Sequence, residues 1–323
     1  MTWVNINALA LCCNDPYPFL YSLRNNNNLI EKKMDKPNDV APLLAQLTRI
    51  ADALERQFPG NVAPDALEKA DAYVWQSDIR RLVPVSRVSR VEIGLLKGIN
   101  EQRDGLLGNT LGFVEGLPAN NALLWGARGT GKSSLVKAVH GEVIERGFEL
   151  GLVEIHREDI GDLPHLMAFL AKIDRYFIVF SDDLAFEGGE SQYKSLKAAL
   201  EGGIQGRPAN IVFYATSNRR HLMPRQMIEN ERSTAINPSE TTEETVSLSD
   251  RFGLWIGFHS IDQDTYMEMI DEYINFFNIK ADDIDIRHEA LAWSIGRGSR
   301  SGRVAWQFIT DLAARTKTPI RRY

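Results

Sequence analysis

Residues 121–139 read NALLWGARGTGKSSLVKAV, and the spacing inside this stretch decides the fold. The apolar run ALLW predicts a buried strand, SSLVKAVHGEVIERG predicts a helix, and between them lies Gly126-Ala127-Arg128-Gly129-Thr130-Gly131-Lys132-Ser133. That octet fits G-x-x-x-x-G-K-[ST], and a strand before it with a helix after it is the context the pattern requires. Glycines let backbone N–H groups meet phosphate oxygens directly, at a helix N-terminus whose dipole favours anions. Lys132 then reaches the β- and γ-phosphates, and the Ser133 hydroxyl is a Mg²⁺ ligand. The candidate phosphate-binding residues run through this octet and the adjoining Ser134.

Fifty residues on, FIVFSDDLAF (177–186) supplies a second apolar strand, and it ends in two carboxylates. Alone, Asp182 and Asp183 read as caps of the next helix. Coupled to the phosphate loop, Asp182 reads as the second protein contact of the Mg²⁺ held by Ser133, since a P-loop fold needs an acidic group at the neighbouring strand tip. From Asn121 to about Phe258, further apolar runs (ELGLVEI, NIVFYAT, LWIGF) alternate with helical stretches such as QYKSLKAALEGG. Continuous apolar strands separated by helices mark a parallel sheet covered on both faces. The fold class is therefore α/β. Helical spacing continues over 262–277, 288–294 and 302–314, which predicts a separate small helical domain.

The two motifs resemble Walker A and Walker B of the AAA+ ATPases, over roughly Ile93 to Ala314. The resemblance implies a five-stranded parallel P-loop sheet with a C-terminal helical lid, ATP and Mg²⁺ as cofactors, and ATP hydrolysis. It also implies roles for particular residues. Asn218, ending IVFYATSN, falls where the superfamily's sensor 1 orients water near the γ-phosphate. Arg251, in SLSDRFGL, falls where an arginine finger reaches a neighbouring subunit's nucleotide. Arg303, in SGRVAWQF, falls at sensor 2, in competition with Arg297 and Arg300. The superfamily usually places glutamate after the Walker B aspartate, to activate the attacking water. Here Asp183 stands there, one methylene shorter, and Glu187 four residues on competes for the role of base. The strings PANNALLWGARGTGKSSLVKA, DDLAFE, ATSNRRHL and SLSDRFGLWI resemble a bacterial AAA+ family defined as a domain of unknown function. In motif order they are similar to the replication-initiator and helicase-loader branch.

Composition bounds what surrounds this core. In 323 residues the formal charge is −6, which argues against a surface coated for duplex DNA. No apolar run is long enough to span a bilayer, and the two cysteines, Cys12 and Cys13, are adjacent, which agrees with a reducing cytoplasm. Residues 1–33 carry an asparagine run and no amphipathic period, and are expected to be a disordered or mis-annotated leader before Met34. Residues 34–92 are expected to form a helical N-terminal region, with helices over 41–57 and from Pro64 through Trp75; 93–259 are the core and 260–323 the lid. A polar stretch from Arg219 to Asp250 is long for a connection between strands. The functional expectation is an oligomeric, slow, Mg²⁺-dependent ATPase that remodels or clamps a protein partner. Alternatives are a DNA-associated, loader-like switch using Arg219, Arg220, His221, Arg297, Arg300, Arg303 and the RTKTPIRRY tail, and a nucleotide-gated scaffold.

Overall fold

Successive residues along each central strand alternate between two apolar cores, which is how a sheet buried on both faces is built. On the strand Tyr176–Ser181, Phe177 and Val179 enter one core while Ile178 and Phe180 enter the other. On Ile211–Ser217, Ile211, Phe213 and Ala215 join the first core, and Val212 and Tyr214 the second. All of these side chains are inaccessible to solvent. Burying an aliphatic or aromatic side chain to this degree stabilises the fold by roughly 1.5–3 kcal/mol each.

The computed structural model describes residues 45–50, 69–185, 190–202, 206–218, 251–281 and 283–320. The chain divides into two units, residues 1–61 and 62–323. In the first, residues 45–50 are helical and exposed, within the helix expected over 41–57. In the second, the strands are β1 (Ala72–Gln76), β2 (Arg81–Pro84), β3 (Ala122–Gly126), β4 (Leu150–Glu154), β5 (Tyr176–Ser181), β6 (Ile211–Ser217) and β7 (Leu254–Phe258). The helices are α1 (Asn100–Val114), α2 (Lys132–Glu145), α3 (Leu163–Leu170), α4 (Glu190–Glu201), α5 (Gln263–Phe277), α6 (Ile286–Gly296) and α7 (Gly302–Arg315). The seven strands form one sheet in the order β2-β1-β4-β5-β6-β3-β7, parallel except where β2 returns antiparallel to β1.

The five parallel strands expected from sequence are the inner and right-hand members of this sheet; β1 and β2 extend it by two. The helix expected from Pro64 through Trp75 is corrected here, because Ala72–Gln76 is a strand. Its side chains alternate, Tyr73 and Trp75 into one core and Ala72 into the other, and Val74 pairs with both Val83 and Glu154. The short run AYVW fits a helical face as readily as a strand, and sheet pairing decides it.

The C-terminal helices have a core of their own, with Tyr266, Ile270, Ala305, Phe308 and Leu312 buried in it. Each starts on a side-chain cap: Asp262 accepts from Thr265 N–H at 2.8 Å, Asp285 from His288 N–H at 3.0 Å, and Ser301 from Val304 N–H at 3.3 Å. Such caps satisfy N–H groups that the helix itself leaves unpaired. Among the described residues no helix is long and apolar enough to cross a membrane.

Candidate nucleotide site

Two strands end side by side, and their last side chains continue the alternation of the core. The face carrying Ile178 and Phe180 on β5 next presents Asp182; the face carrying Val212 and Tyr214 on β6 next presents Thr216 and then Asn218. On the other side of β6, β3 leads through Gly126 into the phosphate loop, so the loop and the carboxylates meet at one end of the sheet.

The loop's backbone explains its glycines. Gly126 has φ +141°, and a Cβ there would lie 2.1 Å from the Phe258 carbonyl oxygen on β7. Gly131 caps α2 in the left-handed region, at φ +99°. Inside the loop, Lys132 donates to the carbonyls of Gly126 (2.9 Å) and Ala127 (2.7 Å) and to Asn218 Oδ1 (3.3 Å). Its side chain is buried, and burial pushes its pKa down; Asp182 and Asp183 oppose that shift, while Arg128 and Arg303 add to it. Thr130 closes the turn by donating to the Ala127 carbonyl at 2.8 Å.

Asp182 Oδ1 receives two hydroxyls, Ser133 Oγ and Thr216 Oγ1, each at 2.5 Å. Asp183 leaves the strand at φ +52°, where strict alternation would have turned its side chain to the other face. Both carboxylates consequently line the same cleft. Asp183 accepts from Asn218 Nδ2 and lies 3.7 Å from the Arg128 guanidinium. Thr216 was not singled out from sequence. The period of two along VFYATSN held the signal, but only the register with β5 shows that its hydroxyl meets Asp182.

The cleft has a volume of about 670 Å³ and runs between the sheet end and the helical lid. The loop residues Arg128 to Ser134, Asp182, Asp183, Asn218 and Arg303 all line it. Of the three arginines competing for the lid position, Arg303 is the one in the cleft. Arg297 instead lies 3.9 Å over the Trp293 ring and donates to Gln307 at 2.9 Å. The lid meets the loop directly, since a Cβ on Gly129 would lie 3.0 Å from Ser301 Oγ. At the other end the wall is apolar: Val91, Leu95, Leu96 and Ile99 from the segment before α1, with Met269, Tyr273 and Trp306 from the lid. Sequence reasoning missed this wall, because its residues look like ordinary packing positions. Lys137, one turn further along α2, was missed for the same reason.

Arg251 is not part of this cleft. It precedes β7 at the opposite end of the sheet and forms an ion pair with Glu201, the last residue of α4. Glu187 lies outside the described residues, as do residues 1–33 and the whole 219–250 connection with Arg219, Arg220 and His221.

The donors at Ser133 and Asp182 are a hydroxyl and a carboxylate 2.5 Å apart, and among the described residues no group of three metal-ligating side chains occurs. That set fits Mg²⁺, which takes one or two protein oxygens and completes its shell with phosphate and water.

A family model described as "Protein of unknown function (DUF815)" matches residues 68–316. No curated protein sequence matches the chain. Among solved structures it is similar to the Thermotoga maritima RuvB Holliday junction branch migration motor, with 15% identity, a TM-score of 0.45, and 72% of this chain aligned to 68% of that one. It is similar also to the Aeropyrum pernix Orc1 protein in complex with DNA, at 13% identity and a TM-score of 0.49, covering 70% of this chain and 63% of that one. A DNA replication initiation factor is a third, at 16% identity and a TM-score of 0.41, covering 69% and 64%. The chain thus spans about two thirds of the length of each of these structures.

Proposed function

The chain belongs to the DUF815 family, and from that premise we propose that it is an AAA+ protein, a Mg²⁺-dependent, slow ATPase that works as an oligomer on a protein partner. One observation carries the reading: a lysine inside a glycine loop, a hydroxyl–carboxylate pair and a lid arginine all face one cleft of nucleotide size. Lys97, Arg128, Lys132, Lys137 and Arg303 stand there against Asp182 and Asp183, with Lys97 also paired to Glu272 at 3.0 Å, so the lining is net positive and complements the negative charge of Mg-bound ATP. The apolar wall from Val91 to Ile99, with Tyr273 and Trp306, suits the base, while the loop N–H groups and Lys132 suit the phosphates.

In this reading Lys132 holds the β- and γ-phosphates, Ser133 and Asp182 hold Mg²⁺, and Arg303 brings the lid's charge onto the phosphate chain. Bound there, Mg²⁺ would supply Lewis-acid stabilisation of charge on the transferring phosphoryl group. Asp183 takes the proton of the attacking water, with Asn218 orienting the carboxylate. Slow turnover follows from the aspartate's short reach and from its ties to Asn218 and Arg128. No observation favours the DNA-binding alternative: Arg219, Arg220 and His221 lie outside the described residues, and Arg297 is engaged by Trp293 and Gln307.

Lys132→Ala tests the nucleotide reading. Removing a buried, hydrogen-bonded charge from the phosphate site should weaken ATP binding by about 10²-fold or more. Undiminished ATP affinity by calorimetry would remove the assignment. The partner is sought by co-purification with and without a non-hydrolysable ATP analogue, identifying both protein and nucleic acid. Retention of nucleic acid alone would overturn the choice of a protein client.

A further inference from the structure

The Thr216 hydroxyl sits between the two carboxylates and is committed in both directions. It accepts from the Asp183 backbone N–H at 2.9 Å, and it donates its one hydrogen to Asp182 Oδ1 at 2.5 Å. The Thr216 carbonyl in turn accepts from Leu184 N–H at 2.7 Å. One residue of β6, 1% exposed, thereby fixes three successive residues of the turn that follows β5. That turn is where a non-glycine residue holds φ +52°, a conformation that persists only where its surroundings over-determine it.

We propose that Thr216 is a positioning residue for the metal-binding carboxylate: its hydroxyl orients Asp182 toward the Ser133 side of the cleft and, through the Asp183 N–H, brings Asp183 into the same cleft. This rests on the nucleotide reading above and adds to it a residue whose hydroxyl is committed to the carboxylate turn of the cleft. A hydroxyl hydrogen bond to a carboxylate is charge-assisted, and at 2.5 Å it lies at the short end of its class. With Thr216 Oγ1 and Ser133 Oγ both on Oδ1, the carboxylate plane is set, and Oδ2 is left to other partners. Partners that orient metal ligands in this way cost about 10–100-fold in metal affinity or activity when removed. The same bond explains why threonine stands at a position whose strand neighbours on that face, Val212 and Tyr214, pack in the core.

The test uses the full chain with Thr216→Val, Thr216→Ala and Thr216→Ser, with Asp182→Asn as the reference. Affinity for a fluorescent ATP analogue is measured in EDTA and across a Mg²⁺ titration, together with single-turnover hydrolysis. The two hydroxyl deletions should bind nucleotide in EDTA as the wild type does. They should require about 10–100-fold more Mg²⁺ for half-saturation and hydrolyse more slowly by a similar factor. Thr216→Ser, which keeps the hydroxyl, should restore both to within about threefold, which a purely steric role would not predict. A shift in the valine variant but not in the alanine variant would assign the effect to packing and overturn the proposal. So would wild-type Mg²⁺ dependence in both deletions while Asp182→Asn shifts it; that result would leave the nucleotide reading intact. If Asp182→Asn also leaves the Mg²⁺ dependence unchanged, the metal assignment fails and the positioning role with it.

Discussion

At position 183 one methylene and one dihedral angle set the chemistry. An aspartate in the left-handed region is less strained than a β-branched residue there would be, and asparagine tolerates the same backbone. Asp183→Asn is therefore a clean probe: it keeps the φ +52° turn and the N–H bond to Thr216 while deleting the carboxylate proposed as base. The expected outcome is unchanged ATP and Mg²⁺ affinity with hydrolysis slowed by about 10²-fold or more, so that the ATP state accumulates. Single-turnover measurements on Asp183→Asn beside Glu187→Gln decide the matter. Wild-type hydrolysis in the first with loss in the second would move the base to Glu187. The residues of the phosphate loop and Asp182 were legible in sequence because their spacing follows from what phosphate and metal demand. Thr216 and the Arg128–Asp183 ion pair were not, because both depend on which strand lies beside which.

Between elements, the start of the lid's α7 packs against the phosphate loop. Gly129 has φ +79°, and a Cβ there would lie 3.0 Å from Ser301 Oγ and 3.1 Å from Ser301 Cβ, at the cap of α7. Gly129→Ala should therefore incur a left-handed penalty of about 1–2 kcal/mol and also hold the lid off the loop. Gly298→Ala is the control: Gly298 has φ +66° with nothing within 4 Å of its added Cβ. Both should lower the melting temperature, and only Gly129→Ala should weaken ATP binding, by about tenfold or more in an equilibrium titration. Equal ATP affinities in the two variants would mean that the contact has no part in binding. The strands of this framework were readable as apolar runs, since burial on both faces removes the need for alternation. The β1–β2 hairpin was not, because four apolar residues carry too little periodicity to separate strand from helix. Nor was the apolar wall of the cleft: Leu95 and Tyr273 serve the lid core and the cleft at once, and spacing alone shows only the first.

For the whole molecule, two groups outside the cleft carry separate predictions. His140 lies wholly buried on α2, its Nε2 3.3 Å from the Leu150 carbonyl and Arg90, Arg175 and Asp71 facing it. Burial lowers its pKa from 6.5 to about 4, with the two arginines adding to the shift and Asp71 opposing it. The unfolded chain thus binds a proton that the folded chain refuses, and stability should fall as pH drops from 6.5 toward 4, by up to about 3 kcal/mol from this group. Denaturant midpoints of His140→Gln should lose that share of the acid sensitivity; an unaltered pH profile would contradict it. Arg251 concerns assembly. β3 and β7 pair from Ala122↔Leu254 to Gly126↔Phe258, so Arg251, three residues before Leu254, stands roughly 15 Å or more from the phosphate loop of its own chain. No side chain spans that distance, so an arginine finger at this position can act only on the nucleotide of another copy. In this structure its guanidinium pairs with Glu201, a contact that a trans role would have to break. Arg251→Ala should bind ATP normally and lose turnover by up to about 10³-fold. Mixing decides between a trans role and a fold defect. Arg251→Ala retains an intact pocket and Lys132→Ala an intact arginine, so the two inactive variants combined should recover part of the activity that neither has alone. A mixture as inactive as its components, or a monomer with full turnover at every concentration, would rule out a neighbour's arginine and leave the Arg251–Glu201 pair as a contact within the fold.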